Sequence, residues 1–139
     1  VAAIERLVFA DPWSARAFAE CLAADALFLV ADVGGIVAGY VIAQGAAGQG
    51  EILNLGVAPA HRRRGIGRRL VAEILARLRE RGVHDVYLEV RESNTVARRL
   101  YESFGFREIG RRRRYYRRPV EDAVVLWTAI PAAGASAKL

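Results

Sequence analysis

Glu89 sits inside a run of strand-forming apolar residues, Val86-Tyr87-Leu88-Glu89-Val90. Such a run reads as a central parallel strand, apolar on both faces. A carboxylate placed there costs free energy unless it is paired or opens on a cleft. That leaves two readings: a salt bridge to an arginine, or a general base. A second feature is Arg62-Arg63-Arg64-Gly65-Ile66-Gly67-Arg68, at the point where a strand hands over to a helix. A helix start has unpaired backbone N–H groups and a partial positive charge. Glycine lets an anion approach that backbone, and flanking arginines add charge-assisted contacts. The competing reading is a plain helix start with solvated arginines. If a phosphate does dock, two familiar loops fit poorly. No Gly-Lys-Ser/Thr follows, and the third glycine of a dinucleotide turn is replaced by Leu70. Coenzyme A, whose pyrophosphate needs no metal-binding Ser/Thr, remains.

The elements that must hold these residues follow from periodicity. Asp11-Pro12-Trp13-Ser14 is a turn, with Ser14 capping a helix to about Ala24, after the end of another helix in Val1 to Phe9. Leu27 to Val33 and Ile36 to Ala43 are strands joined by the hairpin pair Gly34-Gly35. Gly45 to Gly50 reads as a loop, and Glu51 to Val57 as the next strand. Ile66, Leu70, Ile74, Leu75 and Leu78 recur at helical spacing, so Gly65 to Arg81 is a helix. Val86 to Arg91 is a strand. Asn94 caps a second helix running to Phe104, which Gly105 stops. Tyr101 on that helix reads, from the residues alone, as a core ring with its hydroxyl at the rim. Arg107 to Tyr116 and Asp122 to Ala129 form a closing antiparallel pair. The strand–helix–strand unit from Glu51 to Arg91 predicts a parallel crossover in a mixed sheet flanked by helices.

The 139 residues fit one domain, over residues 1–130, with a flexible tail after it. Hydrophobic residues make up 53%, which argues against disorder. No apolar run approaches the ~20 residues of a membrane span, and no signal peptide is visible. The single cysteine, Cys21, sits among Phe18, Ala19, Leu22 and Ala23 and reads as a packed thiol in a reducing cytoplasm. His61 and His84 show no metal-ligand spacing, so no metal is expected. The chain lacks methionine, so its native start is expected upstream of Val1. The net charge of +6 is carried by arginines in two clusters, Arg62 to Arg69 and Arg111 to Arg118. Nucleic acid and a polyphosphate cosubstrate both answer that charge.

Arg62, Gly65 and Gly67 match the Gln/Arg-x-x-Gly-x-Gly/Ala motif, and here the sequence resembles the GNAT acetyltransferase superfamily. Asn54-Leu55-Gly56-Val57-Ala58-Pro59, Leu88-Glu89-Val90-Arg91-Glu92-Ser93-Asn94, Leu100-Tyr101-Glu102-Ser103-Phe104-Gly105-Phe106 and Arg114-Tyr115-Tyr116 sharpen the likeness. They resemble the ribosomal-protein-alanine N-acetyltransferase (RimI) branch, as do Pro12-Trp13-Ser14 and Glu121-Asp122-Ala123. The resemblance implies an α/β (α+β GNAT) fold: a mixed, mostly antiparallel sheet with helices on both faces and the family's first strand upstream of Val1. It implies acetyl-CoA bound by Arg62 to Arg68, with Asn94 and the backbone of Leu55 and Val57 along the pantetheine. An N–H near Val57 would stabilise the oxyanion. The small Gly56 suits a splayed or bulged strand. Glu89 becomes the general base and Tyr101 the acid that protonates the departing thiolate, whose ordinary pKa of ~8.5 is near enough to tyrosine's ~10. Tyr115 and Tyr116 are expected to wall the acceptor, and Glu92, Glu121 and Asp122 to hold a cationic peptide end.

The implied acceptor is the N-terminal amine of a ribosomal protein. A protein N-terminus has a pKa of roughly 8 and lysine ~10.4, so neutralising lysine costs about 3 kcal/mol more. One carboxylate base therefore suits the N-terminus better. Two other readings compete: acetylation of a lysine or small amine, and a non-catalytic nucleic-acid-binding module using Arg111 to Arg118. Charge raises a difficulty for the first, because ribosomal proteins are basic and so is this chain. Acidic residues would have to line the acceptor groove.

Overall fold

The computed structural model describes residues 26–131. The Ser14-capped helix, Cys21 and most of the tail lie outside them. Six strands form one sheet in the order β1-β2-β3-β4-β6-β5. They are β1 (Leu27–Val33), β2 (Ile36–Ala46), β3 (Gln49–Val57), β4 (Asp85–Arg91), β5 (Arg107–Arg117) and β6 (Val120–Ala129). Between β3 and β4 runs α1 (Ile66–Glu80), and between β4 and β5 runs α2 (Thr95–Glu102). Among the described strands, β3 and β4 pair in parallel and every other neighbouring pair is antiparallel. Among the described residues, no helix is long and apolar enough to cross a membrane.

The β1–β2 turn uses Gly34 and Gly35 at φ 60° and 85°, a left-handed pair that matches strand twist. The Gly35 N–H donates to Asp32 Oδ1 at 2.8 Å. The next hairpin is tighter than its composition implies. The expected loop from Gly45 to Gly50 shrinks to a turn at Ala47-Gly48, and both outer glycines join strands. The reason is packing: a Cβ at Gly45 would stand 2.7 Å from Val83 Cγ2, and one at Gly50 would stand 3.0 Å from Val83 Cγ1. Small residues there let the strand ends close over the end of α1.

Both described helices cover one face of the sheet. Leu70, Val71, Ile74 and Leu78 of α1, with Tyr101 and Phe106, share a core with Val41, Ile52, Val86, Leu88, Val90, Val124 and Leu126. The opposite face carries Tyr40 and Ile42, packed by Phe28, Val37 and Leu53. The two helices expected within residues 1–24 fall outside the described residues. β4 departs from the expectation for a strand apolar on both faces. It is parallel to β3 but antiparallel to β6, and its burial alternates, with Val86, Leu88 and Val90 buried. Glu89 therefore points away from α1 and α2.

Of the splay or bulge expected at Gly56, the splay is met, since β3–β4 pairing ends at Ile52↔Leu88, while the bulge sits elsewhere. Ile42 pairs with Asn54 and Ala43 with Ile52, so Leu53 is the extra residue of a bulge. Gly56 itself pairs in register with Tyr40. Its missing side chain is required by that ring: a Cβ at Gly56 would lie 2.6 Å from Tyr40 Cε1, and Tyr40 is fully buried. Gly56→Ala should lower stability by about 1–3 kcal/mol through overpacking, read as a fall in melting temperature. An unchanged melting temperature would show that Tyr40 can move aside.

Candidate active site

The pairing of β3 with β4 runs from Gln49↔Asp85 to Ile52↔Leu88 and then stops. Beyond it Leu53–Val57 and Glu89–Arg91 diverge, leaving backbone groups on both sides of a wedge. The bulge at Leu53 lies where the wedge opens. Leu55, Gly56 and Val57 line its β3 side. Glu89 stands on its β4 side, at the first unpaired position. Tyr101 comes from α2 on the helical face.

At the far end of β3 a short 3-10 turn (Pro59–His61) leads to Arg62. Gly65 precedes α1 as its N-cap with φ 77° and no side-chain cap. The space where its Cβ would be is open to 4 Å. Arg63 is also left-handed, at φ 65°, an uncommon state for a residue with a side chain. An open glycine at an uncapped helix start fits an incoming pyrophosphate. Gly67 also serves packing. Its Cβ would meet Leu100 Cδ2 at 3.3 Å, so it sets the approach of α1 to α2. Ile66 is partly buried against the core. The arginines divide similarly. Arg62 Nε donates to the Val57 carbonyl at 3.4 Å, and Arg68 Nη2 donates to Ser103 Oγ at 3.2 Å while lying over the Phe104 ring. Arg63 and Arg64 flank the open glycine.

Asn94 caps α2, its Oδ1 accepting from Ala97 N at 3.2 Å. The cap uses only the oxygen, so the two amide hydrogens can still serve the pantetheine contact expected of this residue. Tyr101 is 5% exposed, and its ring meets Phe106 edge-on at 5.4 Å between centroids. Burial first, and Tyr116 second, push its phenol well above the ordinary tyrosine range. It therefore holds its proton.

Glu89 makes the salt bridge of the first reading. Arg112 Nε stands 3.0 Å from its Oε1 in an ion pair whose side chains are 59% and 20% exposed. Burial first, then the Glu89 charge, raise the Tyr115 phenol. Burial, then the Glu89 charge, raise the Tyr116 phenol to about 12. The two tyrosines contact edge-on at 5.2 Å, with Arg91 over Tyr116 at 4.3 Å. They reach this place because β5 is irregular. Arg112 pairs with Ala123 and Tyr116 with Glu121, so residues 113–115 loop out. Arg114 at φ 52° turns that loop, and its N–H donates to Asp122 Oδ1 at 3.0 Å.

Each of the three acids expected to hold a peptide end has a partner within the chain. Asp122 holds the β5 loop. Glu121 accepts from Ser93 N and from Arg91 Nη1, and the Ser93 bond first holds its carboxyl below the ordinary range. Glu92 pairs with Arg111. These three acids order the strand pair around the cleft. The cleft beside Glu89, about 740 Å³, is lined by Glu51, Gln44, Tyr87, Arg112 and Val125 among others. Glu51 and Arg112 do not stand out in the sequence. The available signal is alternation: Glu51 falls on the same face as Glu89, since Ile52 faces α1. Arg112 is hidden in a run of four arginines.

The profile of the Acetyltransferase (GNAT) family matches residues 2–106. The chain is 37% identical over 127 residues to the [ribosomal protein bS18]-alanine N-acetyltransferase of Escherichia coli (strain K12), covering 88% of this chain and 84% of the relative. It is 43% identical over 121 residues to the N-alpha-acetyltransferase RimI of Mycobacterium tuberculosis, covering 84% and 75%. The crystal structure of the ribosomal-protein-S18-alanine N-acetyltransferase from Escherichia coli superposes with a TM-score of 0.87 at 36% identity, over 96% of this chain and 88% of that one. A wedge between parallel strands, an open glycine at a helix start and these matches agree, and the chain belongs to the GNAT family of acetyltransferases.

Proposed function

We propose that the chain moves the acetyl group of acetyl-CoA onto the N-terminal amine of a protein, with the N-terminal alanine of a ribosomal protein as the substrate class. The observation that carries this is the wedge past Ile52↔Leu88, with Glu89 on one face and Tyr101 on the other. The named activity of the relatives supports the acceptor class.

In this reading Arg62 to Arg68 and the backbone N–H groups around Gly65 hold the pyrophosphate, and Asn94, Leu55 and Val57 orient the pantetheine. Acetyl-CoA supplies a thioester, an acyl donor activated toward amines. Glu89 takes a proton from the acceptor ammonium, directly or through water. Tyr101 holds a proton for the departing sulfur. The dry site that raises Tyr101 also raises a thiol, which keeps donor and acceptor matched. Tyr115 and Tyr116 wall the acceptor. The cytoplasm, where ribosomal proteins are made, is the setting this substrate implies.

Incubation with acetyl-CoA and two forms of one alanine-starting peptide tests the reading by intact mass. The free N-terminus should gain a single acetyl group, and the blocked form none. Labelling confined to lysine would overturn it.

A further inference from the structure

The pairing of Glu89 with Arg112 leaves a charge problem in the acceptor cleft. A carboxylate already matched by a guanidinium presents a neutral pair to an incoming ammonium. The chain is basic overall, so long-range attraction will not compensate. The acids nearest in sequence are committed elsewhere: Glu92 to Arg111, Glu121 to Ser93 and Arg91, Asp122 to the Arg114 N–H. One further carboxylate stands on the wall of this cleft. Glu51 of β3 pairs in register with Tyr87, two residues before Glu89, and lines the same cavity as Glu89, Arg112 and Arg81; of the two guanidiniums, Arg112 is the one that acts on the Glu51 carboxyl.

We infer that Glu51 is the acceptor-recognition carboxylate: it gives the Glu51–Glu89–Arg112 cluster a surplus of one negative charge, which the acceptor ammonium fills. The inference rests on the amine-acetylating reading above and adds to it the group that selects a cation. The division of labour is physical. Glu89 stands at the mouth of the wedge, where the proton must be taken. Glu51 stands one pair deeper on the neighbouring strand, where the strands are still joined and it cannot reach the wedge backbone. It attracts and positions; it need not exchange a proton. Burial first, and the Glu89 charge next, raise the Glu51 carboxyl, while Arg112 partly offsets them. A cation bound between the two acids would relieve that repulsion, so binding and deprotonation of Glu51 favour each other.

Glu51 is exposed, so solvent screening limits the effect. Glu51→Gln should raise the KM for a free-amine peptide by about 3–10-fold, with kcat and the KM for acetyl-CoA close to wild type. The salt dependence of kcat/KM for the peptide should weaken in the variant, because a charge on the acceptor path is gone. Glu51→Asp should retain most of both. A merely structural role would not shift the salt slope. An unchanged peptide KM, or a kcat loss as large as that of Glu89→Gln, overturns the inference while leaving the transferase reading intact. Wild-type enzyme that fails to acetylate any free-amine peptide overturns the transferase reading itself.

Discussion

Tyr101→Phe should lower kcat by about two to four orders of magnitude while leaving the KM for acetyl-CoA nearly unchanged. The substitution removes one oxygen from a ring that is 5% exposed and packed edge-on against Phe106. The packing survives, so the loss reports the hydroxyl alone. Its role as an acid requires that it be protonated before the step. Burial raises the phenol above its ordinary value, so the acid form persists as pH rises through neutrality and beyond. The sign is therefore fixed. Wild-type kcat should show no alkaline fall below pH ~10, since a raised acid loses its proton later than a free one. A fall centred near pH ~8–9 would belong to another group. Measured turnover close to wild type in Tyr101→Phe would return the tyrosine to a core ring with a rim hydroxyl.

The elements were legible because their signals are local. The helix from Gly65 to Arg81 appears as α1 with Gly65 and Arg81 as its caps, and the Gly34-Gly35 hairpin appears with both residues left-handed. Asn94 caps α2 as its residue type implies. What escaped depends on contacts between strands distant in sequence. The bulge belongs to Leu53 because Ile42 and Ala43 oppose Asn54 and Ile52, a fact of register that no single strand carries. Gly56 is small because Tyr40 lies beside it. The partners of Glu92, Glu121 and Asp122 are also out of sight in the sequence, because they come from other parts of the chain. The three-residue loop in β5, fixed by Asp122, is likewise invisible in a run of arginines, yet it brings Tyr115 to Glu89.

Glu89→Gln is the second decisive substitution, and kcat should fall by about two to three orders of magnitude with acetyl-CoA affinity retained. The amide keeps the shape, but it cannot take a proton. Stability should change by less than about 1 kcal/mol, because Arg112 is 59% exposed and can return to solvent. The pH dependence separates a base from a positioning group. Without a base the variant depends on acceptor already neutral in solution. That fraction grows as pH approaches the amine's own pKa, roughly 8. The deficit relative to wild type should therefore narrow between about pH 6 and pH 9, by up to about two orders of magnitude. A deficit that stays constant across that range assigns Glu89 to holding Arg112 and Tyr115 in place. Turnover that does not fall at all removes it from the mechanism, and the carboxylate within the apolar run is then explained by its salt bridge alone.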